Sequence, residues 1–309
     1  MKLRVLFLKK VHILYFILIV LALIFLIILF SYNKKTDVFA IVEEKTIIKE
    51  DLNGDGKEDI LYINNENDKY YLQINSDNRS YKLLPTEKLH TMGRYYPFFP
   101  MKINLIDVTR DKIPEIFTQS MEKGQCIQHI FHWNGSEFVD SFCSPNNLIG
   151  VIDSKSNRTP KIVSGNYNNN SISLAYYMHL NGHVEKITAN DDLPGKEAVA
   201  GFINYIHSLP GGEPYKPSNV FAPNISVKDL NIISKMATEN KLYKFSDGYF
   251  VDTKFNMNGI ASEYKWIINF KASPIAGNGN SERKSLVLYL RRTSETNHPF
   301  KIVSINEKK

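Results

Sequence analysis

The sequence predicts a mainly β protein with three related β units, followed by an α+β domain and preceded by one transmembrane helix. Three observations predict this fold class. An uncharged apolar run covers residues 11–33, an acid-rich loop followed by a strand recurs within residues 37–190, and the hydrophobic period changes from two residues to 3.6 at Pro194. A chain of 309 residues is also long enough for about two globular domains.

The apolar run at residues 11–33 is long enough to cross a membrane. Roughly 20 apolar residues, at a rise of about 1.5 Å each, match a bilayer core of ~30 Å. The residues from Ser31 to Lys35 offer no small-residue cleavage site, so we expect an uncleaved signal anchor. Four basic residues precede the run and two follow it. This bias predicts a single-pass cell-membrane protein with residues 1–10 in the cytoplasm and the later domains outside.

The net charge of +6 belongs to the amino-terminal segment. Residues 1–36 contain six Lys or Arg and no acid, which leaves 32 basic residues to balance the 32 acidic residues of the remainder. Nucleic-acid recognition normally needs a concentrated basic surface. We therefore expect a membrane contact through residues 11–33 and no nucleic-acid partner.

The stretch from Asp51 to Ile60 (DLNGDGKEDI) has the composition of a calcium loop, because oxygen side chains alternate along a glycine-rich turn that opens a strand. The predicted ligands are three carboxylates, one amide and one backbone carbonyl: Asp51, Asp55, Asp59, Asn53 and the carbonyl of Lys57. An EF-hand is disfavoured, since its twelfth position needs a Glu and is Tyr62 here. The alternative is a turn without metal, because turns favour the same residues.

Two further copies of this loop begin at Asp107 and Asp153, at spacings of 56 and 46 residues. The second copy keeps four oxygen side chains and predicts a weaker calcium site: Asp107, Thr109, Asp111 and Glu115. In the third copy, Lys161 puts a positive charge where a ligand is needed, so we expect that loop to hold no metal. Each copy leads into β-branched and aromatic residues, as expected for a strand.

The pattern D-x-N-G-D-G-x-x-D followed by a strand resembles the calcium loop of FG-GAP/VCBS repeats, the blade units of integrin-type β-propellers. The resemblance covers residues 37–190 and is specific in the first loop. It implies a structural calcium ion and a role in adhesion, with an extracellular protein or glycan as partner. Three units are fewer than the four or more blades of a closed propeller. The expected architecture is therefore either a partial propeller or stacked antiparallel sheets.

The two cysteines of the chain are expected to form a disulfide. Asn134-Gly135 is a signal for a two-residue type I′ hairpin turn, and Asn181-Gly182 is a second. With the first turn, Cys126 and Cys143 fall opposite one another at a non-hydrogen-bonded position, where Cα atoms approach to about 4.5 Å. Two buried free thiols are the alternative, and an oxidising compartment favours the disulfide.

Residues 195–309 predict an α+β domain, with two helices followed by an antiparallel sheet. Apolar residues at helical spacing end at Leu209, and Ser226 begins a capping box for the second helix. Alternation from Tyr264 to Phe270 indicates a strand with one buried face. This order of elements resembles NTF2-like domains. The resemblance implies the alternative function, in which this domain binds a small ligand or is a hydrolase and the repeats are a spacer.

The sequence favours a non-enzymatic binding protein. Matches to S-x-x-K at Ser120 and S-D-N at Ser76 stand in the reverse of the β-lactamase order and lack a K-T-G partner. His129 and His132 differ in parity along a strand, so they are poor joint metal ligands. An aromatic run would form either an exposed binding surface or part of the core: Tyr95, Tyr96, Phe98 and Phe99.

Overall fold

The computed structural model describes residues 18–21, 41–43, 47–86, 88–156, 159–180, 182–188, 193–211, 217–276, 279–294 and 299–308. Met1–Ala40 and Ile41–Lys309 are two separate units. Residues 18–21 are helical and exposed. The predicted tail at residues 1–10 and the rest of the predicted span at residues 11–33 lie outside the described residues. No helix in the described part of the chain is long and apolar enough to cross a bilayer.

The described residues of Ile41–Lys309 form three sheets, of which two are antiparallel throughout. One sheet has four strands in chain order: β2 (Ile47–Glu50), β3 (Asp59–Glu66), β4 (Lys69–Ser76) and β5 (Arg79–Leu83). The other has five strands, which lie in the spatial order β1 (Ile41–Glu43), β6 (Lys102–Ile106), β7 (Glu115–Glu122), β8 (Gln125–Trp133) and β9 (Phe138–Ser144). The expected antiparallel β architecture is confirmed.

The third sheet has eight strands, which lie in the spatial order β13 (His183–Ile187), β12 (Ser171–Leu180), β11 (Lys161–Asn168), β10 (Leu148–Ile152), β14 (Lys241–Phe255), β15 (Ala261–Pro274), β16 (Glu282–Arg292) and β17 (Phe300–Glu307). Strands β10 and β14 pair in parallel, with Leu148 opposite Gly248. This pair joins the predicted β-repeat segment, residues 37–190, to the predicted α+β segment, residues 195–309, in one sheet. The described residues of both segments therefore belong to one compact unit.

Two helices follow β13 in the chain, as the hydrophobic period predicts. Helix α1 spans Lys196–His207 and α2 spans Val227–Thr238. The hydroxyl of Ser226 accepts the N–H of Asp229 at 3.1 Å, which is the predicted cap of α2. The predicted apolar face is also confirmed, since its five residues are all buried: Val199, Phe202, Ile203, Ile206 and Leu209. Both helices pack against β17, and α1 also packs against β12 and β14.

The three acid-rich loops occupy the same position relative to the strands. Each begins with an Asp, and the next strand starts eight residues later and lasts eight residues, in β3, β7 and β11. Each of these strands ends in a two-residue hairpin turn with positive φ at both positions: residues 67–68, 123–124 and 169–170. Positive φ at both central residues is the geometry of a type I′ turn, whose twist matches that of the strands.

Buried polar contacts link the five-stranded sheet to the eight-stranded sheet. Lys102 on β6 lies 2.5 Å from Asp247 on β14, and the two side chains are 3% and 0% exposed. The Gln128 amide on β8 donates to the carbonyl of Leu148 on β10 at 3.1 Å. Because buried charges and amides need partners, these contacts restrict how the two sheets can pack.

Candidate functional site

The first acid-rich loop is a set of turns closed by its own side chains. Asp51 accepts the backbone N–H of Gly54 at 2.7 Å with one carboxylate oxygen and that of Gly56 at 2.9 Å with the other. Asp59 is buried and accepts the N–H of Leu52 at 2.9 Å. The loop is thereby tied to the start of β3.

The other predicted ligands of the first loop also accept local hydrogen bonds. Asn53 accepts the N–H of Asp55 at 3.0 Å, and Asp55 accepts the N–H of Lys57 at 2.8 Å. The Lys57 ammonium lies 2.8 Å from Asp77, in an exposed ion pair. Such Asx turns explain why Asp and Asn alternate here whether or not a metal binds.

The second loop repeats four of these hydrogen bonds at the equivalent positions, and Asp107 and Glu115 accept three of them. Asp107 accepts the N–H groups of Arg110 and Lys112, at 2.6 and 3.0 Å. Glu115 accepts the N–H of Val108 at 2.7 Å. Arg110 and Lys112 have φ of 65° and 75°, where the first loop has glycines at 77° and 84°. The backbone path is therefore kept although the second loop has lost both glycines.

Two residues of the predicted weaker site depart from the pattern of a calcium ligand. Thr109 lies at the limit of hydrogen-bond distance, 3.5 Å, from Asp107. Asp111 keeps the pattern of the first loop, since it accepts the N–H of Ile113 at 2.8 Å as Asp55 accepts that of Lys57. Burial raises the pKa of Glu115 to about 7. A carboxyl group that is partly protonated near neutral pH is a poorer ligand for a cation.

The structure brings the loop oxygens near each other without forming a metal-binding cluster. Within the described ranges, no group of three or more His, Cys, Asp or Glu side chains is placed to hold a metal ion. The oxygen donors of the first loop fit a hard cation in type, and a carboxylate oxygen that accepts one N–H keeps a second lone pair. Calcium at Asp51, Asn53, Asp55, Lys57 and Asp59 stays a prediction.

The third loop is closed in a different way from the first two. Lys161 stands at the position of the buried acid and cannot accept a hydrogen bond. Asp252 from β14 supplies a carboxylate instead and accepts the N–H of Asp153 at 2.6 Å. Ser156 has a φ of 47° and donates its N–H to the carbonyl of Asp153 at 2.6 Å. The third loop thus depends on a strand about 100 residues further along the chain.

The predicted Cys126–Cys143 register is wrong, and both cysteines are free thiols. Strands β8 and β9 pair Trp133 with Phe138, so four residues rather than two connect them, and a further register shift follows. Cys143 consequently lies opposite His129. The second predicted turn is confirmed in length, because two residues separate the last pair of β12 and β13.

The side chain of Asn134 explains the longer connection. Its amide oxygen accepts the N–H groups of Ser136 and Glu137, both at 2.9 Å. These two bonds close a four-residue loop in place of the type I′ turn. Cys126 instead donates to the carbonyl of Ser246 at 3.4 Å, while Cys143 accepts the Thr86 hydroxyl at 3.3 Å.

His129 is a buried structural residue, and it does not join His132 in a site. The two ring nitrogens of His129 lie 2.7 Å from a carboxylate oxygen of Asp140 and 2.9 Å from the carbonyl of Thr91. His132 packs against His179 instead, with ring centroids 4.9 Å apart. The two histidines therefore have different partners.

A groove of about 750 Å³ lies where the β7–β8 and β11–β12 hairpin turns approach β14 and β15. We call it the asparagine groove, because five asparagines line it: Asn147, Asn166, Asn168, Asn169 and Asn170. Asn147 and Asn166 are structural, since their amides bond the backbone of Tyr167 and Asn147 respectively. The other three are exposed: Asn168 ends β11, and Asn169 and Asn170 form the turn that follows it.

Aromatic rings form further parts of the groove wall. Tyr96 and Phe98 line it half-buried, with ring centroids 5.6 Å apart, and Tyr167 lines it beside Phe245. The predicted aromatic run is therefore divided between its two alternatives. Phe99 is fully buried, Tyr96 and Phe98 line the groove, and Tyr95 is exposed outside it.

The groove has a positive wall. Lys244 and Lys271 line it from β14 and β15, and they are directly opposite one another in the register. The Lys271 ammonium lies 4.5 Å from the centre of the Phe98 ring. His207 accepts the N–H of Phe245 at 2.9 Å, and burial together with Lys244 lowers its pKa. Among the described residues that line the groove, none carries a carboxylate.

Sequence reasoning missed this groove because its walls come from distant segments. The run Asn166–Asn170 was the available signal, since consecutive asparagines suit a turn with positive φ. Asn169 and Asn170 have φ of 47° and 63°, so the turn itself accounts for them. Asn168 lies before that turn and has no such backbone requirement.

No protein family matches this chain, and neither does any curated protein or solved structure.

Proposed function

We propose that this chain is a membrane-anchored, extracytoplasmic binding protein whose asparagine groove takes an acidic glycan. The observation that carries the proposal is the composition of the groove wall, in which amides, aromatic rings and two opposed lysines line a cavity of about 750 Å³. This volume lies within the range of ligand-binding pockets. The proposed role is binding and adhesion rather than catalysis.

The amides and rings suit the two kinds of surface that a sugar presents. An asparagine side chain offers two donors and one acceptor oxygen, which match the mixed donor and acceptor character of sugar hydroxyls. The apolar face of a sugar ring packs on an aromatic ring, and Tyr96 and Phe98 supply a half-buried pair. Asn168 to Asn170 lie across the opening as exposed polar groups.

The two lysines favour an acidic ligand over a neutral one. Like charges directly opposite one another on neighbouring strands destabilise a sheet. Lys244 and Lys271 have this arrangement, and no carboxylate is present among the described lining residues to offset it. A uronate, sialate or sulfate group bound between them would remove the repulsion and gain charge-assisted hydrogen bonds.

We further propose that three consecutive groups of four strands, β2–β5, β6–β9 and β10–β13, are FG-GAP/VCBS-like units. These units would form a partial propeller or a stacked arrangement. Their equal eight-residue spacing and the shared hydrogen bonds of the first two loops support this. The first loop would hold a structural calcium ion, with a weaker site in the second loop. The anchor at residues 11–33 would leave the amino terminus in the cytoplasm and the β sheets outside the cell.

An oligosaccharide array tests the glycan proposal. Purified full chain should bind uronic-acid, sialylated or sulfated oligosaccharides and should bind their neutral counterparts at least tenfold more weakly, because the lysine pair needs an anion. Tyr96→Ala combined with Phe98→Ala should lower the affinity at least tenfold, since both stacking surfaces are lost. Intact cells carrying the chain should bind the same labelled oligosaccharide until protease is added outside.

Tyr95→Ala is the matched control, because Tyr95 belongs to the same loop, is 40% exposed and does not line the groove. Asn168→Ala, compared with Asn65→Ala on the equivalent strand of the first unit, tests the amide contribution. Binding that is equal in the double aromatic variant and in Tyr95→Ala would show that the glycan does not enter this groove. An array without any bound oligosaccharide would refute the function.

A further inference from the structure

A second cleft, of about 630 Å³, lies beside the third acid-rich loop. We call it the third-loop cleft. Its walls come from the start and end of that loop, the segment before α1, and the facing ends of β15, β16 and β17. It has no lining residue in common with the asparagine groove. We propose that the third-loop cleft binds a small organic anion that carries an apolar body.

The inner part of the cleft is apolar and preformed. Tyr264 and Phe300 line it with ring centroids 5.5 Å apart, and they are 2% and 7% exposed. Leu193 is buried next to them, while Ile260 is exposed at the rim. Rings held in place by the sheet can bury the apolar part of a ligand with little reorganisation.

The cleft is lined by three cations and one carboxylate. The cations are Lys155 and Arg292, both exposed, and Lys161, which is half-buried. The carboxylate is that of Asp153, which lies 3.7 Å from Arg110 in an ion pair. The lining therefore has an excess of positive charge.

Lys161 distinguishes the third acid-rich loop, which lines this cleft, from the first two loops. In the first two loops the equivalent residue is a buried acid that accepts a backbone N–H, as Asp59 and Glu115 do. In the third loop a carboxylate from β14 is present instead, since Asp252 accepts the N–H of Asp153. A lysine at this position places an ammonium group at the wall of the cleft. A loop that binds a metal cation would not have a positive side chain at a ligand position.

The shape and charge together define the ligand class. A pocket that is mainly apolar with a few polar groups is typical of small-molecule sites. Lysine and arginine at the opening suit a carboxylate, sulfate or phosphate, and the rings inside suit an aromatic or alkyl body. A bare inorganic anion would leave the apolar part unfilled, and a neutral molecule would leave the cations unpaired.

Isothermal titration calorimetry on the full chain in non-ionic detergent tests this inference. The probes are phenyl phosphate, inorganic phosphate and benzyl alcohol, each titrated also into protein-free detergent. We expect phenyl phosphate to bind at least tenfold more tightly than either of the others. Lys161→Gln should weaken phenyl phosphate binding about tenfold, and Lys161→Gln with Arg292→Gln should weaken it further.

Lys186→Gln is the matched control, since Lys186 is an exposed lysine on the same sheet outside the cleft. All variants should keep the wild-type melting temperature, because the substituted side chains are exposed or half-buried. Equal affinities for phenyl phosphate and inorganic phosphate would overturn the proposal, as would binding that Lys161→Gln leaves unchanged. No measurable binding of phenyl phosphate to a folded wild-type chain would also overturn it.

Discussion

The carboxylate of Asp252 holds the third acid-rich loop, and its protonation should make the stability of the protein depend on pH. It lies on β14, is 7% exposed and accepts the N–H of Asp153. Burial raises its pKa to about 6, although the hydrogen bond from Asp153 acts in the opposite direction. Because the folded pKa lies above the ordinary value of 3.8, the folded state holds the proton more tightly than the unfolded state does.

The contribution of Asp252 to the stability of the protein should therefore fall as pH rises from about 4 through about 6. Over the whole pH interval, a pKa raised from 3.8 to about 6 corresponds to a change of about 3 kcal/mol in the free energy of unfolding. Asp252→Asn removes the titration but keeps an oxygen that accepts the N–H of Asp153. We expect urea unfolding to show a smaller loss of unfolding free energy over this pH interval for the variant than for the wild type.

Asp68→Asn is the control for this experiment. Asp68 is an exposed turn residue with a φ of 63°, a conformation that asparagine tolerates equally well. Its pH profile should be parallel to that of the wild type. If Asp252→Asn also gave a parallel profile, the carboxyl of Asp252 would not titrate differently in the folded state.

At the scale of elements, the acid-rich loops have hydrogen bonds within each loop and also contacts with distant parts of the chain. In the first loop Asp51 accepts two backbone N–H groups of the loop itself, and the second loop keeps these bonds with Arg110 and Lys112 in place of glycines. A Cβ on Gly54 would lie 2.5 Å from a side-chain carbon of Ile113 in the second loop. The two loops therefore approach each other closely at Gly54 and Ile113.

Calcium should stabilise the fold through the first loop. If Asp51, Asp55 and Asp59 share one ion, their mutual repulsion is relieved when it binds. Extracellular modules bind calcium at ~10⁻⁴ to 10⁻³ M, so a free concentration of ~10 mM predicts a gain of about 1.4–2.7 kcal/mol. Differential scanning calorimetry in calcium and in chelator should show the corresponding rise in melting temperature.

Asp55→Ala should abolish the calcium-dependent rise, whereas Asp153→Ala in the third loop should leave it intact. Asp55→Ala also removes the hydrogen bond to Lys57, so the comparison must be the difference between calcium and chelator for each variant. Identical melting of the wild type in both conditions would leave the first loop as a turn without metal. The resemblance to FG-GAP/VCBS repeats would then lose its main support.

Helix caps and buried helix faces could be predicted from the sequence, because their signals come from neighbouring residues. The registers of the hairpins could be predicted only in part. The α2 cap at Ser226 and the buried face of α1 depend on neighbouring residues and are correct. Asn134-Gly135 and Asn181-Gly182 have the same turn signal, yet only the second gives a two-residue connection. In the first connection the Asn134 side chain accepts two backbone N–H groups of a four-residue loop, a closure that the dipeptide alone does not reveal.

The sheet order and the asparagine groove could not be predicted, because both depend on contacts across long separations. Strand β10 pairs with β14 across about 100 residues, and no local pattern identifies a parallel partner at that distance. The groove similarly combines Phe98, Asn168 and Lys271 from three separate segments. The sequence indicated a binding role through its aromatic run, but it did not indicate which rings would face solvent.

At the scale of the whole molecule, Lys102 and Asp247 join two sheets that the sequence assigns to different domains. Their charged atoms lie 2.5 Å apart, and both side chains are almost fully buried. The Lys102 ammonium is also 4.0 Å from the centre of the Phe99 ring, and Asp247 accepts the Asn269 amide at 2.9 Å. Removing one member of such a pair leaves an uncompensated charge in a poorly solvated place.

Lys102→Met should therefore lower the unfolding free energy by about 3–5 kcal/mol. The loss should appear in one cooperative transition, because β10 and β14 carry both halves of the chain in a single sheet. Adding Asp247→Asn should recover much of the loss, since it removes the stranded charge and keeps an acceptor oxygen for Asn269. Urea unfolding followed by circular dichroism and by tryptophan fluorescence measures both quantities.

Lys57→Met is the matched control, because Lys57 and Asp77 form an ion pair of similar length, 2.8 Å, with side chains 64% and 55% exposed. An exposed pair is screened by water, so this variant should lose far less unfolding free energy than Lys102→Met does. A Lys102→Met variant as stable as Lys57→Met would mean that water reaches the buried pair. Two separate transitions in the wild type would mean that the sheets unfold independently, and the pair would then join domains rather than hold one unit together.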